Sequence, residues 1–198
     1  MYKRSVLTYI SVLAIVSIVL ISGCKKKYTP KPRGYFRIDL PEKKYQKLEG
    51  NYPFVFDHLE NTIIKNDSTR LLNKYWMDIE YPYINGKIHI SYLPVKNNLN
   101  QIIEDTRKLA YKHSIKADAI NERMFIKPEK KVYGILYEIE GNAASSMQFF
   151  ITDSIKHYVR GALYFNTEPN KDSLAPVLNY VKKDITLLIE SFEWKEIN

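Results

Sequence analysis

The chain contains a single cysteine, Cys24, and its position separates a stretch that cannot fold in water from one that can. Ahead of it a short basic head, Met1-Tyr2-Lys3-Arg4, leads into an almost unbroken apolar run from Val6 to Ile21. The run closes on Ile21-Ser22-Gly23-Cys24, and a basic head, apolar core and small residues before the break have the layout of a secretory signal. A run of roughly 18 apolar residues can also span a bilayer, so an N-terminal transmembrane helix is the alternative reading. Removal of residues 1–23 leaves about 175 residues, enough for one domain with its own core. If Cys24 is consumed by modification, that domain has no disulfide, no thiolate metal site and no cysteine nucleophile. Packing must then supply the stability, and 16 Tyr, 8 Phe and 2 Trp provide large surfaces for it.

The tetrad resembles a bacterial lipobox at every position. That resemblance implies a diacylglyceryl group on the Cys24 thiol and cleavage that makes Cys24 the first residue of the mature chain. Residues 24–34 then form a basic tether, in which Pro30 and Pro32 favour extended polyproline II. Net charge is +8, and Lys25, Lys26, Lys27, Lys31, Arg33 and Arg37 cluster beside the anchor. Charge alone would permit nucleic acid. Beyond an export signal the nearest anion is a headgroup, and a lysine near an anionic surface is worth about 1 kcal/mol. The expected partner is therefore membrane, with no nucleic acid.

Residues 35–198 read as a single α+β domain. Phe36, Ile38 and Leu40 alternate with Tyr35, Arg37 and Asp39, so this segment should lie on the domain or on a partner. Strands are expected at 52–56, 75–81, 87–93, 132–140, 146–152 and 157–166, with a weaker one at 124–126. Asn85-Gly86 is a hairpin signal because both residues tolerate positive φ. Amphipathic helices are expected at 98–116, with Asn98 and Gln101 as a capping box, and at 174–191. Pro176 would sit in the first turn of the second. Hairpins plus two one-sided helices describe an antiparallel sheet with both helices packed on one face. The order resembles small sheet-plus-helix domains of the PsbP and Mog1 type, an analogy of fold that carries no function.

Little in the chain points to catalysis. His58, His89, His113 and His157 stand at no metal-ligand spacing. Ser145, Ser146 and Ser154 lack a Gly-x-Ser-x-Gly elbow. Asp78/Glu80 and Glu138/Glu140 each place two carboxylates on one face of a strand, as an acid/base couple would need. Alternation with Ile79 and Ile139 favours a solvated sheet face instead. No enzyme, metal or cofactor is expected beyond the covalent lipid. Tyr81-Pro82-Tyr83 beside the turn offers a tyrosine surface suited to protein contact, or rings that simply cover the sheet.

Cys24 is followed by Lys-Lys-Lys-Tyr-Thr-Pro-Lys-Pro-Arg33-Gly34-Tyr35-Phe36-Arg37-Ile38-Asp39-Leu40-Pro41. This stretch resembles the gliding-motility lipoprotein family GldD, and the C-terminal Ser-Phe-Glu-Trp is compatible with it. The resemblance implies a non-catalytic envelope lipoprotein acting in gliding alongside the type IX secretion apparatus, with protein partners there. It carries over no catalytic residues. Arg33, Gly34, Tyr35, Arg37, Asp39, Tyr81 and Tyr83 are the candidate partner-binding residues. The outer membrane, facing the periplasm, is the expected site, ahead of the cytoplasmic membrane. A periplasmic small-ligand carrier, with an apolar cavity between sheet and helices, is the alternative.

Overall fold

The computed structural model describes residues 38–66, 75–112 and 116–196. Alternating apolar positions drive these residues into a seven-stranded antiparallel sheet. In spatial order its strands are β4 (Ile63–Asn66), β5 (Met77–Tyr81), β6 (Gly86–Pro94), β10 (His157–Phe165), β9 (Met147–Thr152), β8 (Val132–Gly141) and β7 (Ala117–Lys127). Two short ribbons sit beside it. In one, β1 (Tyr45–Lys47) pairs with β3 (Asp57–Leu59); in the other, β2 (Phe54–Val55) pairs with β11 (Glu193–Trp194). Helix α1 (Leu99–Tyr111) joins β6 to β7, and α2 (Lys171–Ser191) joins β10 to β11.

The α+β class and antiparallel sheet match the sequence-based expectation, but the two helices lie on opposite faces of the sheet. The reason is visible in the central strands, where both parities are apolar. Leu136, Phe149 and Val159 point to one side, with Val181, Ile185, Leu188 and Ile189 of α2. Their chain neighbours Tyr137, Phe150 and Tyr158 point to the other, with Ala110, Ile102 and Ile103 of α1. A helical layer on one face would have left three large rings in water. Each fully buried aromatic contributes about 1.5–3 kcal/mol, so both faces must be covered. Tyr158 also donates a hydrogen bond to Thr106 Oγ1 (2.7 Å), pinning α1 to its face.

Several local expectations are revised. The turn between β5 and β6 is not a two-residue hairpin: Pro82–Ile84 form a 3₁₀ turn and only Asn85 adopts positive φ, at 49°. Gly86 opens β6, where a Cβ would come within 2.9 Å of the Phe165 ring. The segment expected at 124–126 extends into the eleven-residue β7. Helix α1 ends at Tyr111, and Asn98 makes no capping bond to it; its Oδ1 accepts from Lys96 N–H instead. Helix α2 starts earlier than expected. Asn170 caps it by accepting from Ser173 N–H, which leaves Pro176 inside the helix rather than in its first turn.

Candidate functional site

Residues Ile38–Lys47 open the described domain, and the side chains that receive them form a largely buried polar cluster. Asp184, on the sheet-facing side of α2, is only 3% exposed. Its Oδ1 accepts from Lys43 Nζ and from the Tyr45 hydroxyl (2.8 Å). Lys43 Nζ also donates to the Tyr180 carbonyl (2.7 Å) and lies 3.8 Å from the centre of the Tyr180 ring. The Tyr180 hydroxyl in turn donates to the Pro41 carbonyl (2.9 Å). One turn of α2, bearing Tyr180 and Asp184, thus grips residues 41, 43 and 45.

Helical spacing explains the grip, because positions i and i+4 share a face. The pairing of β1 with β3 fixes Tyr45, and Lys43, just ahead of the strand, reaches the same carboxylate oxygen. Behind them Tyr81 and Tyr83 stack edge-on at 6.1 Å, and Tyr83 meets Tyr180 at 6.3 Å. Burial, with the Asp184 carboxylate second or later among the causes, raises the phenols of Tyr45 and Tyr81 above the ordinary tyrosine range. Burial does the same to Tyr83 and Tyr180. All four phenols stay protonated across physiological pH, and those of Tyr45 and Tyr180 serve as hydrogen-bond donors. The arrangement is chemically suited to holding a chain segment.

The structure places the sequence-predicted residues unevenly. Cys24, Arg33, Gly34, Tyr35 and Arg37 lie outside the described residues. Asp39 is exposed just ahead of the clamp. Tyr81, expected as an exposed contact, is 2% exposed and belongs to the core, so it offers no surface to a partner. Tyr83 is partly buried and its hydroxyl is enclosed. The outward-pointing member of the trio is Pro82. Lys43, Tyr45, Tyr180 and Asp184 were not singled out from sequence. A lone aspartate on an apolar helical face, seven residues after Val177 and one before Ile185, was the available signal.

The carboxylate couples and the described histidines are engaged in structural contacts. Asp78 accepts from Lys87 Nζ (2.6 Å) and His89 Nδ1 (2.6 Å), and Glu80 pairs with Lys65 (2.7 Å). Glu138 pairs with Lys182, and Glu140 accepts from Asn121. These contacts account for the two carboxylate couples as ion pairs and hydrogen bonds across a sheet face. His58 is buried and bonds Thr62 Oγ1 (2.9 Å), while His157 bonds the Tyr92 hydroxyl (2.7 Å) and stacks on Trp194. His113 lies outside the described residues. Among the described residues no three His, Cys, Asp or Glu side chains converge as metal ligands, and no helix is long and apolar enough to cross a membrane.

The fold and its clamp define a small antiparallel α+β domain in which α2 holds residues 41, 43 and 45. The sequence profile of the gliding motility lipoprotein GldD matches residues 25–194, and the chain belongs to that family. A search of curated proteins finds no match. Among solved structures the chain is similar to the solution structure of cyanobacterial PsbP (CyanoP) from Synechocystis sp. PCC 6803. That likeness has 9% identity and a TM-score of 0.49, covering 79% of this chain and 95% of the other.

Proposed function

We propose that this chain acts in gliding motility as a non-catalytic, lipid-anchored component of the cell envelope. In this reading acyl chains on Cys24 hold it in the outer membrane on the periplasmic side. Residues 25–34 form the tether, and Arg33–Pro41 is the element that meets protein subunits of the gliding and type IX secretion machinery. Arg33, Gly34, Tyr35, Arg37 and Asp39 are its contact residues, and no cofactor beyond the lipid is required. A component that transmits or resists force between a membrane and a machine needs a firm junction where tether becomes domain.

The observation that supports this is the clamp. Lys43 and Tyr45 are tied to Asp184, 141 and 139 residues further along the chain. A pull on the N-terminus is therefore delivered to the central helix and sheet instead of peeling one terminal strand. Multiple acyl chains make such an anchor durable, where a single chain binds only marginally.

Charge reversal of Arg33 and Arg37 tests the reading. Colonies should stop spreading while the protein remains in the membrane fraction. Unchanged spreading would remove Arg33–Pro41 as the contact element. Affinity capture from crosslinked envelopes should recover motor or secretion subunits; recovery of the protein alone would argue against a machine component.

A further inference from the structure

Helix α1 covers only part of the sheet face on which it lies, and Arg160 stands where that cover stops. Alternation along β10 puts Arg160 on the same face as Tyr158, which packs under α1. On β9 this face carries Gln148 beside the covered Phe150, and on β6 it carries Lys87, His89 and Ser91. Ser91 sits directly opposite Arg160. Lys87, His89 and Asp78 keep partial exposure, so this half of the face is open to water.

Arg160 is half-buried without a carboxylate. Its Nη2 donates to Gln148 Oε1 (2.6 Å), and Gln148 is fully buried, so the guanidinium is held in place by the core. Nε is enclosed without an acceptor, and so is Gln148 Nε2. Nη1 is neither enclosed nor hydrogen-bonded. The Ser91 hydroxyl across from it is likewise open and without a partner among the described residues.

The surrounding charges are matched with one another. Asp78 engages both Lys87 and His89, and Glu80 pairs with Lys65. On α1, Asp105 is engaged by Gln101 and Lys108. Among the described residues, Arg160 is therefore left as the charge on this half of the face with no counter-ion. Taking a guanidinium partly out of water without a carboxylate costs stability, and enclosed donors without acceptors add to the cost. Such groups are rare in folded proteins and mark places where a bound group completes the bonding.

We propose that Arg160 and Ser91 form a carboxylate-binding site, with Arg160 Nη1 and the Ser91 hydroxyl donating to the carboxylate oxygens. Hydrogen bonds from a guanidinium to a carboxylate are charge-assisted and stronger than neutral ones. One unmatched positive charge selects a monoanion, since a phosphate dianion would leave a negative charge uncompensated. A free organic acid and the C-terminus of a peptide present the same group. None of these residues belongs to Arg33–Pro41, so the site stands or falls independently of the gliding reading.

Thermal unfolding of the full-length chain in non-ionic detergent tests the site. The probes are sodium acetate and a short peptide with a free C-terminal carboxylate, with sodium chloride at equal ionic strength as the control. Acetate should raise Tm saturably, by about 3–6 °C at about ten times its dissociation constant, and chloride should not. Gln148→Glu supplies Arg160 with a carboxylate from within the fold. This variant should melt above the unaltered chain in the absence of acetate and should no longer respond to it. Arg160→Gln should not respond either, and if it fails to fold the Gln148→Glu comparison still decides. Peptide binding about tenfold tighter than acetate assigns the site to a protein end, and equal or weaker binding assigns it to a free organic acid. No response to either acid, an equal response to chloride, or a full acetate response in Gln148→Glu would overturn the proposal.

Discussion

Replacing Lys43 with methionine isolates the energetic core of the clamp. Methionine keeps the length and apolar stem of lysine but removes the ammonium. Asp184, whose side chain is 2% exposed, would keep only the Tyr45 hydroxyl as a donor, because its second oxygen is buried without a hydrogen-bond partner. Breaking a buried ion pair from one side costs about 3–5 kcal/mol. Lys43 is 22% exposed, so water can partly replace it, and a loss of about 2–3 kcal/mol is expected. For a domain of this size that lowers Tm by about 4–12 °C.

Urea unfolding measures the effect, with the slope unchanged if the denatured state is unaltered. The diagnostic step is the double variant Lys43→Met with Asp184→Asn. If an orphaned charge is the cause, neutralising Asp184 in the Lys43→Met background restores much of the loss, and the two changes are strongly non-additive. A Lys43→Met loss under about 0.5 kcal/mol, or additive changes, would refute the clamp as described.

Three further outcomes follow from other parts of the fold. Burial holds the His58 imidazole below its ordinary range, so the folded state prefers it neutral; its contribution to stability is complete above the unfolded value of about 6.5 and declines as pH falls through that value toward the folded one. Urea midpoints from pH 8 to pH 5 should show this, and His58→Gln should flatten the change. Gly161→Ala should destabilise by about 1–3 kcal/mol in thermal unfolding, since a Cβ there would lie 2.2 Å from the buried Phe149 ring. Tyr158→Phe should cost about 1–2 kcal/mol through the stranded Thr106 hydroxyl, and amide exchange should accelerate in α1 ahead of the sheet.

The elements themselves were largely legible in the chain, because period-two and period-3.6 patterns of apolar residues are local properties. Strands β8, β9 and β10 lie within a residue or so of the expected bounds, and both helices exist where their stripes suggested. Asn98 failed as a cap because its side chain found a nearer backbone partner at Lys96. The Asn85-Gly86 signal located a turn but not its form, since Pro82 fixes φ for a 3₁₀ turn and lengthens the connection. Strand β7 looked short because much of it is polar. It is extended because β8 offers it a complete ladder, a partner chosen by the sheet.

By itself the sequence determined that Cys24 is alone, that an apolar run precedes it, and that the body is an antiparallel α+β domain of the GldD family. Composition and short-range periodicity carry those statements, and they need no knowledge of which residues meet. Tertiary structure decided that the helices take opposite faces, that Tyr81 is core, that Asp184 grips Lys43 and Tyr45, and that β7 stands at an open edge. Each of these depends on contacts between residues far apart in the chain. Their energy is set by burial and by the partner available, which no local pattern records.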